Sequence, residues 1–308
     1  MTAIKLGIVG VGKIATDQHL PAIAANGDFH LLASASRNAS IDGLPGFTSI
    51  DEMLARQPEI EAVALCMPPQ HRYQAAHAAL TAGKHVFMEK PPGATLSEVA
   101  DLEKLAQAKG VTLFASWHSR HAPAVQVMKS FLAKHAPSKV EVIWKEDVRH
   151  WHPGQEWIWE AGGLGVFDPG INALSIVTEI LPNAMFLKSG VLEFPANRDA
   201  PIAADLRFTD ATGLAVHAAF DWRQTGKQSW EINVATGAGE LRMADGGAKL
   251  WIDGVAQELP EEGEYPSLYR HFASLVKNGQ SDVDLSPLRH VADAFMLGKR
   301  KEVEAFDS

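Results

Sequence analysis

Short apolar runs alternate with helix-compatible segments along the chain between residues 3 and 116. Five such runs end near residues 9, 36, 67, 88 and 115. Strands that are joined through a helix lie parallel to each other and build an open twisted sheet with helices on both faces. The alternation therefore predicts an α/β fold whose N-terminal part is a doubly wound parallel sheet.

The first run, residues 4–9, leads into the pattern G-x-G-x-x-A at residues 10–15 and then into a predicted helix that ends near residue 26. Gly10 permits a tight turn, Gly12 lets the backbone approach a pyrophosphate, and Ala15 is small enough for helix and strand to pack. The helix N-terminus offers amide donors to phosphate. We expect a dinucleotide-binding (Rossmann) unit, with these turn residues at the cofactor: Gly10, Gly12, Lys13 and Ile14.

The second strand ends in Ser36 and Arg37. A site specific for NAD usually has a carboxylate there for the ribose 2′-hydroxyl, whereas a guanidinium and a hydroxyl suit a 2′-phosphate. NADP is therefore the expected cofactor, with NAD as the alternative. The competing interpretation makes Arg37 an ordinary solvated loop charge.

Lys90 ends an apolar run and stands between Glu89 and Pro91. Ligands of open parallel sheets bind outside the carboxyl ends of the strands, so Lys90 is a catalytic candidate and Glu89 a cofactor contact. A cis bond to Pro91 would reverse the chain and aim Lys90 inward. The alternative is a charged strand end at the surface.

Pro68 and His71 follow the third strand, before an alanine-rich helix. At this end of the sheet they are predicted to contact the nicotinamide half of the cofactor. A surface position at the helix start explains His71 equally well.

The alternation of predicted strands and helices ends near His118, and after it strands follow one another without intervening helices. Such a pattern predicts a largely antiparallel sheet, with one face covered and one free to line a cleft. We expect a dinucleotide-binding domain at 1–117 and a substrate-binding α+β domain with an open-faced sheet at 118–308. The last segments, 265–277 and 287–304, are predicted helices.

Residues 150–160 contain three tryptophans and two histidines beside Pro153 and Gly154. A core position explains any single tryptophan, but three in a predicted loop favour a wall that stacks on a sugar. His150 and His152 are two residues apart, which is a spacing that metal ligands can have. No cysteine and no third ligand accompanies them, so no metal is predicted.

Asp168 and Asn172 lie four residues apart after a glycine-rich stretch. This spacing places them one turn apart on one helix face. Asp168 before Pro169 also fits an ordinary N-cap with proline at the first helical position. The two roles are compatible.

Composition restricts the class of protein. With 308 residues, 46% hydrophobic and 21% charged, the chain has material for two globular domains. A net charge of −9 argues against a nucleic-acid surface. A single cysteine, Cys66, fits a reducing compartment, and neither a signal segment nor a membrane span is evident. A cytoplasmic protein is expected.

Three stretches resemble the glucose-fructose oxidoreductase/inositol dehydrogenase family: residues 7–12 (GIVGVG), residues 82–91 (AGKHVFMEKP) and the glycine-rich segment that contains Asp168. Residues 151–155 and 168–172 are most similar to bacterial members that oxidise L-arabinose or D-galactose at C1 to the lactone with NAD(P). Many relatives carry His where this chain has Asn172. Because Asn cannot accept a proton, the resemblance leaves acid-base chemistry to Asp168 or Lys90, and Asn172 would orient the sugar.

The resemblance implies an NAD(P)-dependent aldose 1-dehydrogenase. An inositol or polyol dehydrogenase and a non-catalytic sugar sensor on the same fold are the alternatives. A homo-oligomer through the open C-terminal sheet is the expected assembly. The expected substrate-binding residues are His118, Glu146, Trp151, His152, Asn172 and Trp230.

Overall fold

The computed structural model describes residues 2–307. The strands are β1 (Ile4–Val9), β2 (Phe29–Ala35), β3 (Gly46–Phe47), β4 (Ala62–Leu65), β5 (His85–Met88), β6 (Leu113–Ala115), β7 (Pro137–Lys145), β8 (Phe186–Pro195), β9 (Ala203–Thr209), β10 (Ala215–Asp221), β11 (Ser229–Thr236), β12 (Gly239–Ala244), β13 (Lys249–Ile252), β14 (Val255–Ala256) and β15 (Lys299–Val303). The α-helices are α1 (Leu20–Ala24), α2 (Ile50–Arg56), α3 (Arg72–Thr81), α4 (Leu96–Lys109), α5 (Pro123–Leu132), α6 (Val148–Trp151), α7 (Phe167–Ile180), α8 (Glu264–Asn278) and α9 (Ser286–Leu297).

The described residues divide into two compact units, and the first contains the chain up to His118 together with Glu262–Asp284. Within residues 2–307, its sheet has six strands in the order β3-β2-β1-β4-β5-β6, all parallel. This is the strand order of dinucleotide-binding folds, with its reversal between β1 and β4. The predicted α/β architecture is confirmed. Helix α4 begins with a capping box, in which Thr95 and Glu98 bind each other's backbone amides.

Helix α8 belongs to the first unit, although it lies far along the chain. Its apolar face, formed by Tyr265, Leu268, Tyr269 and Phe272 at helical spacing, is buried in the core that the parallel sheet also lines. Tyr269 stacks on Phe87 of β5 with 5.2 Å between ring centroids. The domain division predicted from the sequence assigned every residue after 117 to one domain. Because of these long-range contacts, residues 262–284 belong to the first unit instead.

In the described part of the chain, the second unit contains Ser119–Glu261 and residues 285–307. Among the described residues, its sheet has nine strands in the order β14-β13-β12-β11-β7-β10-β9-β8-β15. Pairing is antiparallel except between β7 and β10 and between β8 and β15. Burial alternates along β7, because Val140, Val142 and Trp144 are buried while the residues between them are partly exposed. The predicted, largely antiparallel sheet is confirmed.

The prediction of a helix over 287–304 is wrong in its last third. Helix α9 ends at Leu297, and Lys299–Val303 forms strand β15 beside β8. Cross-strand contacts favour the strand, since Lys301 Nζ lies 2.8 Å from Glu193 Oε1 and the Arg300 guanidinium covers the Phe194 ring. These partners are about a hundred residues away, so local periodicity could not indicate them.

In the part of the chain that the structure describes, no helix combines the length and apolar character needed to cross a membrane.

Candidate active site

The glycine-rich turn follows β1 at the point where the strand order reverses. Gly10 has φ +88°, and a Cβ added there would lie 2.7 Å from the backbone nitrogen of Met67, so only glycine fits. A Cβ on Gly12 would meet no described atom within 4 Å. Packing therefore does not explain Gly12, whereas close approach of a dinucleotide phosphate does. The turn fits the NAD(P) pyrophosphate.

Lys13 and Ile14 lie exposed in this turn, and Lys13 forms an ion pair with Asp17. The following helix is irregular: Ala15–His19 is a π-helical segment before α1. It delivers His19 into the protein interior, where that side chain is fully buried. Segments of this kind are frequent at functional sites.

Ser36 and Arg37 come directly after β2, where the sequence predicts them. The backbone N–H of Ser36 donates to the carbonyl of Phe47 at 2.9 Å. Ser36 itself is half-buried, and its hydroxyl belongs to the end of the strand. Arg37 is exposed. Both interpretations of Arg37, phosphate contact and solvated charge, agree with this placement.

Lys90 stands two residues beyond β5, and its peptide bond to Pro91 is cis. The backbone around it is held on both sides. Its own N–H donates to Glu89 Oε2 at 2.9 Å, and the Arg72 guanidinium donates to the carbonyls of Glu89, Pro91 and Met67. Arg72 is 2% exposed and escaped the sequence analysis, because nothing in its local sequence distinguishes it from a surface arginine at a helix start.

Glu89 directs its carboxylate into the interior rather than towards an exposed surface. Oε1 lies 2.9 Å from His19 Nε2 and accepts a hydrogen bond from the Tyr265 hydroxyl at 2.8 Å. Burial alone would raise the pKa of Glu89, but the hydrogen bond and charge of His19 outweigh it and hold that pKa at about 2. The pKa of His19 is well above 6.5: burial opposes its charge, whereas the neighbouring Cys66, Tyr269 and Glu89 favour it.

His71 ends a short 3₁₀ turn, Pro69–His71, directly before α3 and is exposed. Pro68 precedes that turn and is half-buried. His118 lies at the end of the first unit's opening segment, with its Nδ1 at 2.7 Å from Glu264 Oε2. Glu264, like Arg72 and His19, was not predicted from the sequence.

The second unit brings together three of the predicted polar site residues, Glu146, His152 and Asp168. Glu146 is 3% exposed and accepts hydrogen bonds from the indole N–H of Trp222 at 3.2 Å and of Trp230 at 2.8 Å. His152 Nε2 lies 3.8 Å from Glu146 Oε1 and 3.5 Å from Asp168 Oδ2. An imidazole thus stands between two buried carboxylates.

Aromatic rings adjoin this cluster. Trp151 is 37% exposed and its ring centroid lies 5.1 Å from that of Trp230, which in turn stacks on Trp144. Trp159 is different: it is 3% exposed, packed against Trp222, and so is a core residue rather than part of a sugar wall. The structure therefore excludes Trp159 from the predicted aromatic wall and leaves the exposed Trp151 with the half-buried Trp157 and Trp230.

Helix α7 carries Asp168 and Asn172 one turn apart, as their spacing predicts. The N-cap interpretation of Asp168 is wrong, because the helix begins at Phe167 and Val166 is its N-cap. Asp168 instead lies in the first turn, where the helix dipole favours a negative charge. Asn172 is half-buried.

The cluster lies on the covered face of the second sheet. Along β7, Trp144 continues the alternation of the buried Val140 and Val142, and Glu146 follows it two residues later. Trp230 of β11 pairs with Trp144. These three side chains therefore do not line the open face, on which a cleft was expected. The open face carries a separate cavity of about 600 Å³, lined by charged side chains and Trp251, which contains none of the predicted site residues. Within residues 2–307, no three His, Cys, Asp or Glu side chains are grouped to hold a metal ion.

Known proteins resemble this chain over its whole length. A curated galactose 1-dehydrogenase from Pseudomonas fluorescens is 48% identical over 306 residues, 99% of each chain. The crystal structure of D-galactose-1-dehydrogenase from Rhizobium etli is 67% identical, covers 100% of this chain and 99% of its own, and superposes with a TM-score of 0.97.

A structure of a 3-ketoreductase from Actinomadura kijaniata with TDP-benzene and NADP has a TM-score of 0.84 at 19% identity, covering 98% of this chain and 99% of its own, and shares the fold. A family model described as GFO/IDH/MocA, an oxidoreductase family with an NAD-binding Rossmann fold, matches residues 4–116. Together with the full-length relatives, this match confirms the resemblance expected from the Glu89-Lys90-Pro91 element, and the chain belongs to the GFO/IDH/MocA oxidoreductase family.

Proposed function

We propose that this protein is an NAD(P)-dependent aldose 1-dehydrogenase that oxidises C1 of D-galactose, and also of L-arabinose, to the aldonolactone. The observation that carries the proposal is the buried Glu146–His152–Asp168 cluster beside Trp151 and Trp230. Carboxylates and an imidazole bind sugar hydroxyls, and an indole face stacks on sugar C–H groups. The names of the two full-length relatives support galactose as a substrate.

The residues divide the chemical work. A bound dinucleotide would accept the hydride from C1, so the protein must orient the sugar and remove the O1 proton. Asp168 and Lys90 are the proposed acid-base groups. Asn172 cannot take a proton at useful pH and is proposed to orient the sugar.

NADP is the proposed preferred cofactor. Gly10, Gly12, Lys13 and Ile14 would hold the pyrophosphate, and Pro68 and His71 the nicotinamide half. Ser36 and Arg37 at the end of β2 offer a hydroxyl and a cation where an NAD-specific site has a carboxylate. Glu89 would support the same region through the backbone of Lys90 rather than through its buried carboxylate.

Substrate choice is proposed to follow from two kinds of contact. L-Arabinopyranose and D-galactopyranose share the configuration of C1 to C4 and differ at C5. Polar groups such as His118, Glu146 and His152 would read the shared hydroxyls, while Trp151 and Trp230 would form the wall near C5. D-Glucose differs at C4 and would leave a buried polar partner unpaired.

The test is the rate of NADP and NAD reduction with D-galactose, L-arabinose, D-glucose and an inositol. We expect galactose and arabinose to exceed glucose by about tenfold or more in kcat/KM, and NADP to exceed NAD. Trp230→Ala should change the arabinose-to-galactose ratio, whereas Trp251→Ala on the open face should not. Oxidation of the inositol alone would identify a polyol dehydrogenase, and binding without turnover would identify a sensor.

Assembly is a separate proposal. The open face of the second sheet is proposed to pair in a homo-oligomer. The molar mass from light scattering after gel filtration tests this, and the mass of a single 33.3 kDa chain at micromolar concentration would contradict it.

A further inference from the structure

The first turn of α8 contacts two first-unit residues that have proposed roles. Glu264 Oε2 lies 2.7 Å from His118 Nδ1, in an ion pair whose side chains are 30% and 17% exposed. A carboxylate on one ring nitrogen fixes the orientation of the imidazole and favours its protonated form. Glu264 therefore determines how His118 presents its ring.

Tyr265, the next residue, contacts both His118 and the support of Lys90. Its ring stacks on the His118 imidazole at 5.7 Å between centroids, with an angle of 21° between the planes. Its hydroxyl donates to Glu89 Oε1 at 2.8 Å, and Glu89 Oε2 accepts the backbone N–H of Lys90. One buried tyrosine thus links the imidazole to the carboxylate beneath Lys90.

The register of α8 is fixed by its buried face, so these contacts are built into the fold. Tyr265 is 4% exposed, and Tyr269, one turn later, is fully buried with its hydroxyl 2.7 Å from His19 Nδ1. Phe272 packs against the same aromatic core. A slip of one residue in the helix would remove all of these contacts together.

We propose that Glu264 and Tyr265 are positioning residues for the sugar oxidation: Glu264 holds the His118 imidazole, and Tyr265 holds Glu89 and through it the backbone of Lys90. This inference rests on the proposed function for the roles of His118 and Lys90. The contacts themselves can be tested without that assumption.

The charge of His118 depends on the groups that face it. Burial opposes protonation, the Glu264 carboxylate favours it, Glu89 also favours it, and the Lys90 ammonium opposes it. The balance raises the pKa of His118 above 6.5. Because Glu264 is the largest favourable contribution, its neutralisation must lower that pKa.

The first experiment compares Glu264→Gln with Glu103→Gln, which removes an equal charge from an exposed position on α4. We expect the NMR titration of the His118 ring to move to lower pH in Glu264→Gln only, and kcat/KM for galactose at pH 7 to fall by about tenfold. Glu264→Asp keeps the charge and should restore most of the titration shift. An unchanged His118 titration in Glu264→Gln overturns the role of Glu264.

This readout separates the two proposals. If the wild-type protein oxidises none of the sugars, the proposed function fails, and the His118 titration still decides whether Glu264 controls the imidazole. If Glu264→Gln does not fold, Glu264→Ala and Glu264→Asp are compared by the same titration.

The second experiment compares Tyr265→Phe with Tyr73→Phe, which loses a hydroxyl bound to Asp101 at the surface. Removing a buried hydrogen bond to a carboxylate should lower kcat for galactose by about tenfold while KM for NADP stays within about twofold. Thermal unfolding establishes that both variants are folded at the assay temperature. A kcat equal to that of Tyr73→Phe, or a loss confined to KM, overturns the role of Tyr265.

Discussion

The backbone of Lys90 is held on both sides, so its side chain extends from a fixed position. Its N–H is bound by Glu89, and Arg72 binds the carbonyls on both sides of it. Long flexible side chains lose rotamer freedom when they act, so a rigid backbone reduces the entropy that remains to be lost. Asp168 obtains the same rigidity from the first turn of α7.

Replacing either of the proposed acid-base groups should abolish most turnover. Lys90→Ala and Asp168→Asn are each expected to lower kcat by about 10² or more, the usual contribution of a positioned proton-transfer group. Steady-state kinetics with galactose and NADP measures this. The controls are Lys104→Ala and Asp51→Asn, which change exposed residues of the same types. Turnover near the wild-type value in both site variants would contradict their assigned chemistry.

Cofactor choice should respond to charge at the end of β2. Ser36→Asp introduces a carboxylate where the 2′-phosphate of NADP is proposed to bind, so the ratio of kcat/KM for NADP over NAD should fall by about tenfold or more. Ser36→Asn, a neutral substitution of the same size, should change the ratio little. A wild-type protein that already uses NAD far better than NADP would refute the prediction.

The sequence predicted only those candidate residues that form a pattern with their near neighbours in the chain. The turn at Gly10, the strand-end Lys90 and the Asp168–Asn172 spacing all depend on near neighbours. Arg72, His19 and Glu264 have no such signal, because their partners lie 17, 70 and 146 residues away. Predicting them requires knowledge of which distant elements pack together.

At the level of elements, α7 is placed by a close approach that requires glycine. A Cβ on Gly170 would lie 2.8 Å from Cδ2 of Phe220, a fully buried ring of β10. The helix therefore lies nearly against the strand, and this distance sets the position of Asp168 and Asn172 on either side of Gly170.

Gly170→Ala should displace this helix. We expect a loss of about 1–3 kcal/mol in the free energy of unfolding, the usual cost of overpacking, and a lower kcat because Asp168 and Asn172 move. Urea unfolding and steady-state kinetics measure both effects. Adding Phe220→Leu should restore part of each loss, and Gly27→Ala, whose added Cβ meets no described atom within 4 Å, should cause neither. An additive double variant would disprove the steric argument.

The same scale explains where the predicted elements failed. Apolar periodicity recognised the parallel strands, because burial on both faces leaves a continuous apolar run. It mistook β15 for helix, because Lys299–Val303 is charged and is held by cross-strand partners rather than by its own pattern. Edge strands of this composition have no local signature.

At the scale of the whole molecule, the buried His19–Glu89 pair joins distant parts of the first unit. His19 follows the glycine turn, Glu89 follows β5, and Tyr265 and Tyr269 of α8 bind the two side chains. Breaking a buried pair is costly because it leaves one charge uncompensated. The position of α8 in the first unit therefore depends on the charges of His19 and Glu89 as well as on apolar packing.

The pH dependence of unfolding should reveal this pair. The pKa of Glu89 is about 2 in the folded protein against an ordinary 4.5, so its contribution is present above about pH 4.5 and is lost as pH falls towards 2. The pKa of His19 is raised above 6.5, so its contribution is complete below that pH and is lost as pH rises through the folded value. Both contributions overlap near pH 5–6.

Glu89→Gln should therefore cost about 3–5 kcal/mol in the free energy of unfolding at pH 5–6, and less on either side. Urea titrations of wild type and variant from pH 3 to 9 measure the difference. Asp205→Asn breaks the exposed pair with His217, whose side chains are 50% and 24% exposed, and should cost below about 1 kcal/mol throughout. A deficit for Glu89→Gln that is constant with pH would show that Glu89 stabilises the first unit through packing, without the charge of His19.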